Sequence, residues 1–253
     1  MLIFFLSLLK TYFVILSEKR TTIFLGNFGS GKTEVSVNFA IYIANRRKDF
    51  SVTIIDLDLV NPYFRSREPR LIMEKYGIRV VIPQTQYLYA DLPILVPEVR
   101  TVLVASTSIL VLDVGGDDLG ARVLAALKDA LLPQDYRALM VVNASRPFTS
   151  DVDGIIKMKR EIEAAGGVFI TGFVSNTHLM EETTIDTIVK GYELINRAAK
   201  EAGVNFEFVT APQKIEKEAR EIFGDEVLPI KRYLAPSWET KVDGKKGKEL
   251  FKL

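Results

Sequence analysis

Residues 26–33 read Gly-Asn-Phe-Gly-Ser-Gly-Lys-Thr and satisfy the spacing G-x-x-x-x-G-K-[ST] through Gly26, Gly31, Lys32 and Thr33. This combination suits the capture of a polyphosphate. Glycines let the chain turn so that successive amide N–H groups, from Asn27 through Phe28, Gly29, Ser30 and Gly31, point inward at an anion. A helix opening near Gly31 would add the positive end of its dipole. Lys32 can then reach the β- and γ-phosphates, and the Thr33 hydroxyl can join the shell of a Mg²⁺ ion.

Carboxylates follow at positions suited to a metal and a water. Asp113 closes the apolar run ILVLDVGG, with Gly116 three residues on. A carboxylate there can hold Mg²⁺ through water, and the Gly116 amide can approach the γ-phosphate. Capping of the next helix is the competing role, for which Asp117 and Asp118 are better placed. Asp56 and Asp58 end the run VTIIDLD two residues apart, so both project to one face if the strand continues. Asp56 would support the metal shell while Asp58 orients or deprotonates a water. Ordinary turn bonding before Asn61-Pro62 is the alternative. Arg65 and Arg67 come next, either as charge-neutralising groups or as part of a solvated helix face.

Other chemistries are excluded by what the chain lacks. It has no cysteine and one histidine, His178, which removes disulfides, thiolate metal sites and histidine-rich triads. Lys and Arg total 33 against 32 Asp and Glu, so no broad attraction to nucleic acid is expected.

The elements that must position these residues alternate along the chain. Short apolar, β-branched runs occupy 21–26, 51–58, 78–83, 109–115, 137–144, 168–176 and 205–211. They are continuously hydrophobic, as parallel strands covered on both faces are. Helical periodicity is predicted over 33–47, 119–132, 151–165 and 184–202. In the last, Ile185, Ile188, Val189, Tyr192 and Ile195 make a buried stripe. Gly166-Gly167 and Gly203 stand where left-handed caps end helices. Together these predict an α/β, doubly wound, mainly parallel sheet. One domain over residues 19–240 is expected, between an apolar extension at 1–18 and a lysine-rich tail at 241–253. The extension is shorter than the roughly 20 residues that cross a bilayer. It reads as a peripheral helix, a weak anchor or a segment foreign to the domain. No membrane contact is expected, and a cytoplasmic location is read from the lack of export signals and cysteines.

The motifs GNFGSGKT, VTIIDLDLVNPYF and LVLDVGGD, in this order and spacing, resemble those of the MinD/ParA/CobQ-like P-loop proteins. That resemblance implies a P-loop NTPase sandwich of seven to eight strands, ATP with Mg²⁺ as ligand, and a nucleotide-linked homodimer. By position it gives Asp56 and Asp58 the place of the paired aspartates after the second strand, and Asp113 that of the second switch. It puts Asn176 on the adenine edge and Pro212 in the loop closing over the base. Asn176-Thr177-His178-Leu179 lacks the N-K-x-D of a GTPase, which favours ATP. One departure stands out: many relatives have a lysine where this chain has Asn27, an amide without charge. The lysine-across-the-dimer mechanism of those relatives therefore does not carry over by position, and a cation from elsewhere is one replacement for it.

The function these readings favour is an ATPase switch whose affinity for a partner protein depends on the bound nucleotide. The aromatic and proline-rich stretch 84–103 is a candidate partner surface, with core packing as its other reading. Two further readings are an ATP-dependent ligase or kinase on a small acid or cofactor precursor, with Tyr87, Asp91 or Arg122 near the acceptor, and a nucleotide sensor that scarcely hydrolyses.

Overall fold

The computed structural model describes residues 19–58, 67–82, 96–131 and 136–233. Eight strands run β1 Thr21–Leu25, β2 Val52–Leu57, β3 Ile78–Val81, β4 Ile109–Val114, β5 Tyr136–Val142, β6 Gly172–Ser175, β7 Asn205–Pro212 and β8 Val227–Ile230. They form one sheet in the order β3-β2-β4-β1-β5-β6-β7-β8, and every pairing is parallel. The helices are α1 Lys32–Arg46, α2 Arg67–Lys75, α3 Val96–Ala105, α4 Asp118–Leu127, α5 Val152–Gly166, α6 Ile185–Ala202 and α7 Glu216–Phe223.

Continuous apolar strands require cover on both sides, and alternate residues find it in different layers. Ile23 and Leu25 join a core with Val99 of α3, Leu124 of α4, Ile155 of α5 and Ile195 of α6. Phe24, between them, joins the opposite core with Val35 and Phe39 of α1 and Met73 of α2. The split follows the direction of winding. From β1 the chain steps outward through β2 to β3 with α1 and α2 on one face. It then returns to β4 and moves to β5, β6 and β7 with α3 to α6 on the other, as right-handed crossovers demand. The strands flanking β1 therefore send their following helices to the other face, which opens a crevice at its carboxyl end.

The expected doubly wound parallel sheet is present, with eight strands. The eighth escaped the sequence pattern because VLPI is short and contains Pro229. It is an edge strand, where a missing N–H is tolerated. β6 is shorter than the apolar run 168–176. Val168 and Ile170 are buried ahead of it, and the Ile170 N–H donates to Glu163 at the end of α5 rather than to a strand. The helix caps agree with expectation: Gly167 and Gly203 are left-handed, and the Asp117 carboxylate, not Asp113, accepts from Gly120 N–H at 2.9 Å. In the α6 stripe Ile188 and Ile195 are fully buried, and Ile185 and Tyr192 pack at its margin. The extension 1–18, the tail 241–253, most of the stretch 84–103, and Arg65, Tyr87 and Asp91 lie outside the described residues. No helix among the described residues is long and apolar enough to cross a membrane.

Candidate functional site

The loop between β1 and α1 has the conformation its glycines allow. Gly26, Gly29 and Gly31 have φ of 150°, 78° and 82°, values that residues with a Cβ rarely adopt. A Cβ on Gly31 would also stand 2.3 Å from Asn176 Nδ2. The loop carbonyls are drawn to protein partners. Asn27 accepts from Ser30 N–H at 3.2 Å, Gly29 from Arg146 Nε at 3.2 Å, Ser30 from Asn176 Nδ2 at 2.8 Å, and Gly31 from Val35 N–H at 3.0 Å. Across a trans peptide the C=O and the following N–H point opposite ways. Holding the Ser30 carbonyl on Asn176 thus turns the Gly31 N–H away from Asn176, which is the orientation an anion nest needs. Gly116 lies against the other side of the loop. A Cβ there would come within 2.9 Å of the Gly26 carbonyl oxygen and the Phe28 nitrogen. Phe28 itself projects outward and is 84% exposed.

Below the loop two carboxylates sit side by side. Asp56 and Asp113 are in register on β2 and β4, and both are fully buried. Each is two residues beyond an α1-facing core residue, Ile54 and Val111, so both face α1 at its first turn. Asp56 Oδ1 accepts from the Asp58 N–H at 3.1 Å. Neither oxygen of Asp113 receives a well-formed hydrogen bond, although the Thr33 and Ser36 hydroxyls lie nearby. Burial raises its pKa to about 6, against the opposing pull of Lys32 and of the nearby Thr33 and Ser36 hydroxyls, while Asp58 pushes the same way as burial. Lys32 is buried as well, at 6% exposure. Asp58 is half-buried at the rim. The structure therefore brings Lys32, Thr33, Asp56, Asp58, Asp113 and Gly116 together around one point. Arg122 is elsewhere, exposed on α4.

On the far side of the loop lies a cavity of about 300 Å³ lined by Gly29, Gly31, Arg146, Asn176, His178, Thr210, Pro212 and Arg232, among others. Asn176 serves both sides. Its amide holds Ser30, and its Oδ1 accepts from the Thr210 hydroxyl at 2.6 Å. His178 has its pKa lowered by burial, then by Arg146 and Arg232, so its ring is neutral at neutral pH. Asn143, just past β5, accepts from Ser145 N–H at 2.9 Å, while its buried Nδ2 has no partner. Nothing in the sequence pattern singles out Arg146, Thr210 or Arg232. The available signal was weak: polar residues at or just beyond the ends of apolar runs, with no fixed spacing between them. Among the described residues no three His, Asp or Glu side chains group as a metal cage.

A parallel sheet with this order, a glycine-rich turn from β1 into α1, and carboxylates at the ends of β2 and β4 define an α/β fold of the P-loop NTPase type. No protein-family model matches the chain, and no curated protein matches it. Solved structures do. Chloroplast FtsY from Physcomitrella patens superposes with a TM-score of 0.51 at 16% identity, over 76% of this chain and 58% of that one. Cell division protein FtsY from Thermotoga maritima gives 0.51 at 17% identity, over 76% of this chain and 61% of that one. At such identity the likeness is one of fold, and this chain spans only part of the length of either protein.

Proposed function

We propose that this chain binds Mg²⁺-ATP at the β1–α1 loop and hydrolyses it slowly, as a switch that a partner protein reads. The observation that carries the reading is the anchored loop, with its carbonyls held by Arg146, Asn176 and the α1 backbone and a buried lysine behind it. The motif set supports a place near the MinD/ParA/CobQ-like proteins, with a nucleotide-dependent homodimer as the assembly.

The residues fit a magnesium ion. Asp113 offers two buried oxygens without partners, and a hydroxyl beside carboxylates is a donor set for a hard cation. Thr33, Asp113 and Asp56 would hold it, and the ion would neutralise charge on the phosphates. The amides from Asn27 to Thr33 and the Lys32 ammonium would grip the β- and γ-phosphates, with the Gly116 N–H close to the terminal one. Asp58 would orient or deprotonate the attacking water. The nucleoside would occupy the cavity beside Asn176 and Pro212.

Adenine is the better occupant. Guanine presents N1–H and N2–H donors that need a free carboxylate or equivalent acceptor. Leu179 stands where the N-K-x-D sequence of a guanine site has its aspartate, so Asn176-Thr177-His178-Leu179 supplies no such carboxylate. Binding of fluorescent ATP and GTP with Mg²⁺ tests the proposal on the wild type and on Lys32→Ala, with phosphate release followed in parallel. ATP-selective binding that the variant loses is the expected result. Equal binding by the two proteins would sink it. Asp58→Asn in the same assay should bind but not turn over; binding with scarcely any release in the wild type and the variant alike would instead favour a sensor.

A further inference from the structure

We infer that Arg146 is a nucleotide-binding residue that supplies, from the same chain, a positive charge on the nucleoside side of the phosphate loop. The inference rests on the proposed nucleotide site and adds to it a ligand contact that no motif contains. Arg146 lies four residues past β5, and its Nε donates to the Gly29 carbonyl at 3.2 Å. A Cβ on Gly29 would lie 3.6 to 3.7 Å from three atoms of the guanidinium, so glycine at this position lets the group lie against the loop.

One edge of the guanidinium is thereby fixed, while its charge remains uncompensated. Arg146 forms no ion pair among the described residues, in contrast to Arg137, which is paired with Glu207. It lines the 300 Å³ cavity, and its field reaches across to His178, whose protonation it opposes. An arginine anchored through Nε keeps its two terminal nitrogens, with four N–H donors, for a ligand. Those donors stand where the loop meets the cavity. A nucleotide spanning the two would pass its α-phosphate and ribose there, and an anionic oxygen is the partner such a fork takes best. Asn27, where many similar loops carry a lysine, brings no charge, so the site gains its additional cation from a different strand end.

The test separates charge from loop support. Glutamine can still donate to Gly29 but carries no charge, whereas lysine keeps the charge. Mg²⁺-ADP affinity is measured by calorimetry for the wild type, Arg146→Gln and Arg146→Lys, with a thermal melt of each. Arg146 is exposed, so all three should melt alike. The expected result is a loss of about tenfold for the glutamine variant, the scale of one charge-assisted hydrogen bond, and a loss of no more than about threefold for lysine. A glutamine variant that binds as the wild type does overturns the inference, because loop support alone then suffices. Equal losses in both variants overturn it too, since charge is then not the reason. If the wild type itself fails to bind ADP, the nucleotide reading falls first, and this inference with it.

Discussion

Asp113 shows at the scale of one residue what the candidate site asks of the fold. Its carboxyl is fully buried, with no well-formed hydrogen bond and only Lys32 and the nearby Thr33 and Ser36 hydroxyls favouring its charged form, and its pKa stands at about 6 instead of 3.8. The folded-state value is the raised one, so native protein binds the proton more tightly than unfolded chain does. The favourable contribution is present below the unfolded value and is lost as pH rises through about 6. In the unliganded protein at neutral pH that loss amounts to about 3 kcal/mol, taking 1.36 kcal/mol per unit. Asp113→Asn removes the charge at nearly constant volume. The variant should melt above the wild type at pH 7 without ligand, and the gap should close by pH 4. A variant no more stable than the wild type at pH 7 would show that the carboxylate is already compensated in the empty protein.

Elements place such residues, and legibility in the sequence follows from how many elements a feature needs. The β1–α1 loop is readable because eight consecutive residues make it and its spacing is fixed. Asp56 and Asp113 are readable because each ends an apolar run that had to be a strand. The cavity is not, because Arg146, Asn176, Thr210 and Arg232 come from four separate segments and meet only through the strand order. Asn176 was expected at the base, yet its hydrogen bond to Ser30 depends on a contact 146 residues away in sequence. The same limit hides the pair formed by Arg137 on β5 and Glu207 on β7, 3.1 Å apart with β6 between them. Register slips between β6 and β7 so that Glu207 is the extra residue of a bulge. Gly172 on β6 leaves the room for it to cross, since a Cβ there would be 2.5 Å from Glu207 Cγ. Burial opposes ionisation of both partners, raising the pKa of Glu207 and lowering that of Arg137. Glu207→Ala, which removes the carboxylate facing the buried Arg137 guanidinium, should cost about 3–5 kcal/mol, and Gly172→Ala about 1–3 kcal/mol. Urea unfolding of the double variant should show less than the sum, because the added methyl then fills space that Glu207 vacated. Strict additivity would mean that Gly172 is required for some other reason.

For the molecule as a whole, the residues of the proposed site leave the carboxyl ends of six strands: the loop after β1, Asp58 after β2, Asp113 to Gly116 at β4, Arg146 after β5, Asn176 after β6 and Pro212 at β7. A ligand held by this set ties both halves of the sheet to the first turn of α1. Anything that binds only the folded chain stabilises it by mass action, about 2.7 kcal/mol at a hundred times the dissociation constant. For a chain of this length that corresponds to a rise of roughly 5–10 °C in the melting midpoint. Mg²⁺-ATP should produce such a rise in the wild type and none in Lys32→Ala, where the buried ammonium behind the loop is gone. Chelating the metal should shrink the rise, since the phosphates would then meet the buried Asp56 and Asp113 with no cation between them. A wild-type midpoint unmoved by saturating Mg²⁺-ATP would leave the crevice without its proposed ligand, while an equal rise with and without magnesium would remove the two aspartates from the site and leave the loop and Lys32 in it.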